Sequence, residues 1–363
     1  MRMQRRISLW LGIWFLLGTV CLWGQVRQEI QFPDIPGYQT LKCDFHMHTV
    51  FSDGNVWPTV RVDEAWRQGL DGIAITDHIE YQPHKKDVPT QHNRPYVLAL
   101  GKAKQMNLLM TRGTEITRDT PPGHFNAIFL QDVNPLDTKD FLACIEQANK
   151  QKAFVFWNHQ AWKGEEKGKW MEVHTTMYEK KWLHGMEVCN GSSYYPSAHK
   201  WCLDKNLTML GNSDIHAPDL RLKSAPNDHR TMTLVFVKTR TLQGLKEALQ
   251  AGRTAVWFER QIIGRAEYLE PLFHASVVIS PCHHRYRDNV YCTITNQSDI
   301  TLELKRKGKT GPQTISLSPH TTDLLKIRTK SETKQLALSY EVTNYLIAPE
   351  TSLPVKLTID MPN

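Results

Sequence analysis

Polar side chains recur in this sequence at the points where short apolar segments end. Residues 41–46 (LKCDFH) have the composition of a buried strand, and His46 and His48 follow at a spacing of two, which places both imidazoles on one face of a strand. Four later apolar segments end in such residues as well, at Asp77–His78, Glu115, His159 and Asp214–His216. This pattern favours a fold that gathers its strand ends at one place, as the carboxyl ends of parallel strands do.

Helical segments separate most of these strands over residues 38–262. Residues 58–69 begin with Pro58 and end with Gly69, as helices do, and Asp137 with Thr138 is predicted to cap a helix that runs to Gln151. About seven strand–helix units follow one another without a repeated dinucleotide-binding fingerprint. The predicted fold class is therefore α/β, with parallel strands in a closed or nearly closed barrel.

The chain changes character at about Arg265. Residues 265–363 contain short alternating runs such as NVYCTIT and DLLKIR, separated by turn residues, and no helical period is evident there. The pattern predicts a small all-β sandwich-like module. It contains few candidate ligands, since the adjacent His283 and His284 would point to opposite faces of a strand. We expect this module to serve in packing or docking.

Residues 1–24 have the composition of a secretory signal peptide. Arg2, Arg5 and Arg6 precede an apolar run over residues 7–23, and Gly24 is a small residue at a plausible cleavage point. We expect export to the periplasm or the outside of the cell, with no stable membrane partner after cleavage. The alternative is an uncleaved membrane anchor, because the run is nearly long enough to span a bilayer. Lipid attachment at Cys21 is less favoured, because Val20 stands where a small residue is expected.

Composition limits the remaining possibilities. The 363 residues carry a net charge of +7, and because the basic residues are scattered, the sequence does not favour nucleic acid as a partner. Six cysteines follow the leader, and an exported protein can pair them, with Cys282–Cys292 and Cys189–Cys202 as candidates. Buried free thiols are the open alternative, and the sequence predicts no oligomeric state.

Nine histidines and carboxylates at strand ends and in adjacent loops form a candidate metal site: His46, His48, Asp53, His78, Glu115, His124, His159, Asp214 and His216. Nine ligands are too many for one zinc ion, which takes at most four protein ligands. They suit two or three divalent ions that share a bridging carboxylate. Imidazole and carboxylate ligands without thiolate favour zinc, manganese or iron.

These residues lie in motifs that resemble the PHP (polymerase and histidinol phosphatase) family of metal-dependent phosphoesterases over about residues 40–260. The motifs are DFHMHTVFSDG, ITDH, GTEIT, GHFN, WNH and NSDIH. The resemblance implies a distorted, TIM-like (β/α)7 barrel with a trinuclear centre. One ion would bind His46, His48, Glu115 and Asp214, a second would share Glu115 with His124 and His159, and a third would bind Asp53, His78 and His216.

The resemblance implies hydrolysis of phosphate monoesters or diesters of small molecules by a metal-bridging hydroxide. Asp77 is predicted to orient a ligand, and His216 or metal-bound water is a candidate general acid. Arg118, Arg221 and Lys223 follow ligand-bearing strands and are candidates for binding the substrate anion. Two alternatives remain, namely a metal-dependent hydrolase of an amide or ester and a non-catalytic metal-dependent binding protein.

Overall fold

The computed structural model describes residues 26–89, 91–221, 228–330 and 334–361. The predicted signal peptide and Lys223 therefore lie outside the described residues. Within the described ranges, no helix is both long and apolar enough to cross a membrane.

Helices are interspersed among the strands through the first two thirds of the chain. The strands are β1 Gln39–Asp44, β2 Gly72–Ile75, β3 Leu109–Ile116, β4 Phe125–Ile128, β5 Phe154–Trp157, β6 Gly185–Asn190, β7 Ser193–Tyr194, β8 Thr208–Asn212, β9 Met232–Val237, β10 Thr254–Phe258 and β11 Gln261–Gly264. The helices are α1 Pro58–Arg67, α2 Arg94–Gln105, α3 Phe141–Lys150, α4 Glu172–Glu179, α5 Pro196–Asp204 and α6 Leu242–Gln250. Each predicted strand and helix is present, with ends that differ by a few residues.

Helix α3 begins later than the sequence predicts. Its N-cap is Asp140, whose carboxylate accepts a hydrogen bond of 2.6 Å from the amide of Ala143. The predicted capping residues Asp137 and Thr138 instead follow a 3₁₀ turn over Asn134–Leu136. Several polar residues in a row offer alternative caps, and tertiary packing decides which of them starts the helix.

The strands beside the predicted ligands belong to one sheet, in the order β1-β2-β3-β4-β5-β6, with β8 also paired to β6 and β9 paired to β1. The pairs β1–β2, β2–β3, β5–β6 and β6–β8 are parallel. Strand β4 runs antiparallel to both β3 and β5. The loop between β3 and β4 has only eight residues, and a parallel connection needs a longer crossover.

The ends of β1 and β8 meet, although these two strands lie far apart in the order of the sheet. Met47 and Ile215 form a parallel bridge just beyond the two strands. The amide of Asp214 donates to the carbonyl of His46 at 2.9 Å, and the amide of His48 donates to the carbonyl of Ile215 at 3.1 Å. The sheet thus curls until its first and last ligand-bearing segments are hydrogen-bonded neighbours.

Within its described residues, the C-terminal part consists of one helix and eight strands. They are α7 Ala266–Ser276, β12 Val277–Ile279, β13 His284–Tyr286, β14 Asn289–Asn296, β15 Leu302–Arg306, β16 Thr314–Leu317, β17 Thr322–Arg328, β18 Gln335–Ala348 and β19 Thr351–Asp360. Strands β15, β16, β18 and β19 belong to the large sheet, while β12, β13, β14 and β17 form a second sheet. The all-β character that the sequence predicts is present after α7.

Helix α7 lies where the sequence analysis finds no helical period. Leu269, Leu272 and Phe273 bury one face of it, at the i, i+3, i+4 spacing of a helix. Pro271 lies inside the helix and obscures this pattern, because proline is normally excluded from helix interiors. The helix joins the two parts of the chain by packing against β10, β11, β18 and β19.

The six described cysteines are free thiols, and all of them are buried. Neither candidate pair, Cys282–Cys292 or Cys189–Cys202, is bonded in the structure. Of the two alternatives that the sequence leaves open, the structure has the buried free thiols.

Candidate metal centre

The nine predicted ligands lie together at the strand ends. Their candidate ligand atoms form three overlapping groups, in each of which the atoms lie within 4.8 Å of one another: His46, His48, Glu115 and Asp214; Glu115, His124 and His159; and His48, Asp53, His78 and His216. A cavity of about 230 Å³ opens over them, and Trp162, Asn190 and Tyr195 complete its wall. The structure thus brings together the residues that the sequence predicts as a metal site.

The first group has the spacing of a coordination shell. The Nε2 atoms of His46 and His48 lie 3.1 Å apart, and each lies 3.0–3.1 Å from Glu115 Oε2 and 3.1 Å from Asp214 Oδ1. Ligands at about 2.0–2.1 Å from a tetrahedral ion are about 3.3 Å apart, and octahedral neighbours are slightly closer. Five of the six distances in this group therefore fit a single small divalent ion.

The other two groups are more open. Glu115 Oε1 lies 2.8 Å from His124 Nδ1 and 3.6 Å from His159 Nε2. Asp53 Oδ1 lies 3.2 Å from His216 Nε2 and 3.5 Å from His78 Nε2. Glu115 presents one oxygen to the first group and the other to the second, as a bridging carboxylate does.

Unpartnered polar atoms test whether this donor set suits metal ions. Asp53 Oδ1, Asp214 Oδ1 and His159 Nδ1 are buried and make no hydrogen bond. A buried acceptor without a donor is costly, and native structures normally satisfy such atoms. The two carboxylate oxygens face imidazole nitrogens at ligand–ligand distances, so a cation among them would satisfy both. The residues present therefore fit divalent metal ions.

Buried charge dominates the electrostatics of the first group. Burial by itself lowers the pKa of His46, but the carboxylates of Asp214, Glu187 and Glu115 outweigh it and raise that pKa well above its usual value. Burial is likewise outweighed at His48, where the adjacent carboxylates of Asp214 and Glu115, each 3.1 Å from Nε2, raise the pKa to about 9. The pKa of Asp214 is lowered although burial opposes the shift, because His46 and His48 lie beside it. Asp214 therefore stays ionised at neutral pH, and the imidazoles beside it balance its charge.

Two of the predicted ligands have backbone conformations that are uncommon for residues other than glycine. His159 has a φ of 24° and Asp214 a φ of 51°. Residues with such angles cost free energy and persist where surrounding contacts impose them, often at functional sites. Here the amide of His159 donates to Glu187 Oε2 at 2.9 Å, and the amide of Asp214 donates to the carbonyl of His46.

Arg61 connects the segment after β1 to the segment after β8, which meet at the Met47–Ile215 bridge. It lies on α1, and its fully buried guanidinium donates hydrogen bonds to the carbonyls of His48, Ile215, His216 and Ala217. Glu64 Oε2 neutralises its charge at 2.6 Å. Sequence reasoning missed Arg61, although one signal was available. Together with Pro58, Val62 and Ala65 it occupies the buried stripe of α1, where a charge is unusual.

Glu187 is a second residue that sequence reasoning missed. It lies on β6 with no exposed surface, and its Oε1 is 2.8 Å from His46 Nδ1 and accepts from Asn212 Nδ2. A carboxylate on the far nitrogen of a ligating histidine fixes the ring orientation and leaves Nε2 for the metal. The available signal was a single acidic residue inside the apolar run GMEVC.

Asp77, which the sequence predicts to orient a ligand, acts through the loop that follows His48. Its carboxylate accepts from the amide and hydroxyl of Thr49 at 2.6 Å each, and from Ser52 Oγ at 2.7 Å. Ser52 Oγ in turn lies 3.3 Å from His48 Nδ1. The same loop ends at Gly54, where a Cβ atom would lie 2.5 Å from the carbonyl of His48.

Of the remaining predicted site residues, His216 lines the cavity, whereas Arg118 and Arg221 are paired with acidic residues. His216 lies at the cavity, and its Nδ1 is 2.8 Å from the carbonyl of Asp214, so Nδ1 carries the proton and Nε2 faces Asp53. Arg118 is paired with Glu80 and donates to the carbonyls of Thr117 and Thr138. Arg221 forms a bidentate pair with Asp219 at 2.8–2.9 Å. Their roles in binding substrate remain predictions.

Comparison with known proteins places the chain in a family. It is similar to a crystal structure of a two-domain protein from Bacteroides vulgatus that contains a predicted PHP-like metal-dependent phosphoesterase. The two share 47% identity over 93% of this chain and 100% of the other, with a TM-score of 0.88. The chain belongs to the PHP-like metal-dependent phosphoesterases. Residues 277–358 match the family of Ig-like domains.

More distant solved structures also match this PHP-like phosphoesterase. One is a putative metal-dependent phosphoesterase from Bifidobacterium adolescentis, with 16% identity, a TM-score of 0.39 and coverage of 48% of this chain and 88% of the other. Another is an Endonuclease Q complex with an abasic DNA duplex, with 13% identity, a TM-score of 0.42 and coverage of 62% and 60%. A search of curated proteins gives no match.

We predict that Glu187→Gln weakens metal binding about 10–100-fold, because the variant keeps the size of the side chain but removes the charge that orients His46. The measurement is competition with a chromophoric chelator for added zinc or manganese. The matched control is Glu146→Gln, which removes an exposed carboxylate that pairs with Lys150 on α3. Equal affinities in Glu187→Gln and the wild type would show that this contact does not support the site.

Proposed function

We propose that the protein is an exported phosphoesterase that hydrolyses phosphate monoesters or diesters of small molecules with two or three divalent ions of zinc, manganese or iron. The observation that carries the proposal is the first ligand group, in which two imidazoles and two carboxylates have the spacing of a coordination shell. The strands β1–β6 and β8, with their shared end at this group, support a distorted (β/α)7 barrel as its scaffold.

The lining of the cavity explains why such a reaction would need metal. Three carboxylates face it, and within the described part of the chain no lysine or arginine does. A phosphoester is itself anionic, so the protein alone would repel it. Divalent ions in the three groups would neutralise that charge and make a water-derived nucleophile available near neutral pH.

The residues of this chain supply position and orientation. Glu187 and Ser52 orient His46 and His48. Asn190 donates to Asp214 Oδ2 at 3.2 Å and leaves Oδ1 facing the two imidazoles. His216 is the most exposed of the third group, with 37% of its side chain accessible, which suits contact with a leaving group.

We predict that the purified protein hydrolyses 4-nitrophenyl phosphate or bis(4-nitrophenyl) phosphate, and that a chelator abolishes this turnover. Asp214→Ala and His159→Ala should each lower kcat/KM about 10³-fold or more. Each removes a proposed ligand of the metal ions, whose positive charge would stabilise the transition state. Asp204→Ala is the control, since it removes an exposed carboxylate that pairs with Lys200 on α5.

The same assay separates the alternatives if it includes 4-nitrophenyl acetate. Chelator-sensitive turnover of the acetate without turnover of either phosphate would favour a hydrolase of another bond. Tight metal binding without turnover of any of the three substrates would favour a binding protein. Phosphate turnover that survives both ligand substitutions would contradict a metal-dependent reaction at this site.

Aromatic side chains at the cavity mouth favour a substrate with a planar or apolar leaving group. Trp162 is 49% exposed, and its ring centroid lies 5.4 Å from His124 and 5.8 Å from His159. Tyr81, which is 54% exposed, lies 6.0 Å from His78. Trp162 and His124 also line a neighbouring cleft of about 750 Å³ that contains Tyr81. A phosphoryl group at the ions would therefore direct its leaving group across Trp162.

We predict that Trp162→Ala lowers kcat/KM about tenfold for an aryl phosphate and less than threefold for methyl phosphate, because only the aryl group can stack on the indole. Steady-state kinetics with both substrates measures the difference. Tyr286→Ala, which removes a similarly exposed ring in the C-terminal module, is the control. An equal loss for both substrates would indicate that Trp162 supports His124 and His159 rather than the leaving group.

Export is the part of the proposal that depends on residues 1–24. We predict that the protein recovered from the periplasm of a bacterial host has the mass of residues 25–363. The double substitution Leu16→Arg/Leu17→Arg would interrupt the apolar run and should retain the chain in the cytoplasm. A full-length mass in the membrane fraction would favour an anchor, and a lipid-modified mass beginning at Cys21 would favour a lipoprotein.

A further inference from the structure

A basic cleft lies in the C-terminal module, and it shares no residue with the lining of the metal cavity. Its volume is about 860 Å³. The β13–β14 turn, the β15–β16 turn and β17 form its walls. The lining residues are Arg287, Asp288, Asn289, Arg306, Lys309, Gly311, Pro312, Lys326 and Arg328.

The cleft is richer in basic residues, relative to acidic ones, than the module that contains it. Residues 277–358 carry eleven lysines and arginines and seven aspartates and glutamates. Five of the eleven basic residues line the cleft, whereas only one of the seven acidic residues, Asp288, does so. Surfaces with no charged partner usually intersperse the two signs, because clustered like charges repel one another.

Most of these cations lack a compensating acid. Within the described residues, four of the five form no ion pair: Arg287, Lys309, Lys326 and Arg328. Lys307, which shares the β15–β16 turn with Lys309, pairs with Glu341 at 2.8 Å. Arg306 donates to the carbonyl of Gly311 and to the Oε1 atom of Gln313, so its position is fixed while its charge stays unneutralised. The repulsion among these groups would be relieved by an anionic ligand.

We propose that this cleft binds an acidic polysaccharide that carries sulfate or phosphate groups. Its volume lies in the range of ligand sites and exceeds what one inorganic anion fills. Arginine forks match the oxygens of sulfate and phosphate, and lysines add point charges along the groove. Among the described residues no aromatic side chain lines the cleft, whereas sites for single-stranded nucleic acid stack bases on aromatic rings. The proposed export would expose the module to such polymers.

The test measures binding of dextran sulfate and phosphomannan to the full chain by isothermal titration calorimetry, with uncharged dextran as the reference. Lys326→Gln/Arg328→Gln should weaken binding of the charged polymers at least tenfold and flatten its dependence on salt. The matched control is Lys305→Gln/Lys356→Gln, which removes two exposed charges of the same module outside the cleft and should change affinity less than twofold. Neither pair should alter hydrolysis of 4-nitrophenyl phosphate.

Several results would overturn the proposal. Equal weakening in the two double variants would mean that net charge, not the cleft, attracts polyanions. Tighter binding of duplex DNA or of phosphatidylglycerol vesicles than of either acidic polysaccharide would identify another class of ligand. Absence of binding at 150 mM salt would mean that the cleft is only a charged surface. Since none of these measurements requires turnover, a failed phosphoesterase assay leaves this proposal separately testable.

Discussion

The catalytic part of the structure depends on one constraint, which is that three carboxylates and six imidazoles converge in a largely buried site. Taking ionised groups out of water is costly unless each charge has a partner. The carboxylates of Glu115 and Asp214 find partners in the imidazoles of His46 and His48, whose pKa values rise accordingly. Divalent ions held by these groups would take the place of those protons on the same nitrogens, so metal affinity would depend on pH.

This arrangement requires that segments far apart in the sequence be held at fixed positions relative to one another. The parallel strands bring their carboxyl ends to one edge, and the bridge between Met47 and Ile215 joins the first ligand segment to the last. Arg61 reinforces the bridge from α1, because one guanidinium binds four carbonyls from both segments. Asp214 has its unusual φ in this same segment, where its amide donates to the carbonyl of His46.

The sequence was sufficient to predict which nine side chains the strand ends bring together, because these residue types are rare at the ends of apolar strands and their spacing follows strand geometry. It was insufficient for Arg61 and Glu187, whose neighbours are ordinary helix and strand residues and whose role appears only when α1 and β6 are packed. The antiparallel β4 was predictable in principle from its short connection. Helix α7 was not, because Pro271 interrupts the local signal and burial of Leu272 and Phe273 compensates for it. The roles of Arg61 and Glu187 and the presence of α7 thus depend on tertiary contacts that the sequence pattern does not show.

The Ig-like module shares a β-sheet and an apolar core with the PHP-like part. Strand β18 pairs in parallel with β11 through Ile262–Tyr345 and Ile263–Leu346, so a backbone ladder crosses the boundary. One apolar core also spans both parts, since Ile73 and Met232 belong to the same buried cluster as Val290 and Leu338. Rotating the module would break that ladder and expose that core. A polymer bound in the basic cleft would therefore fix the position of the metal centre relative to itself, which a flexible tether would not achieve.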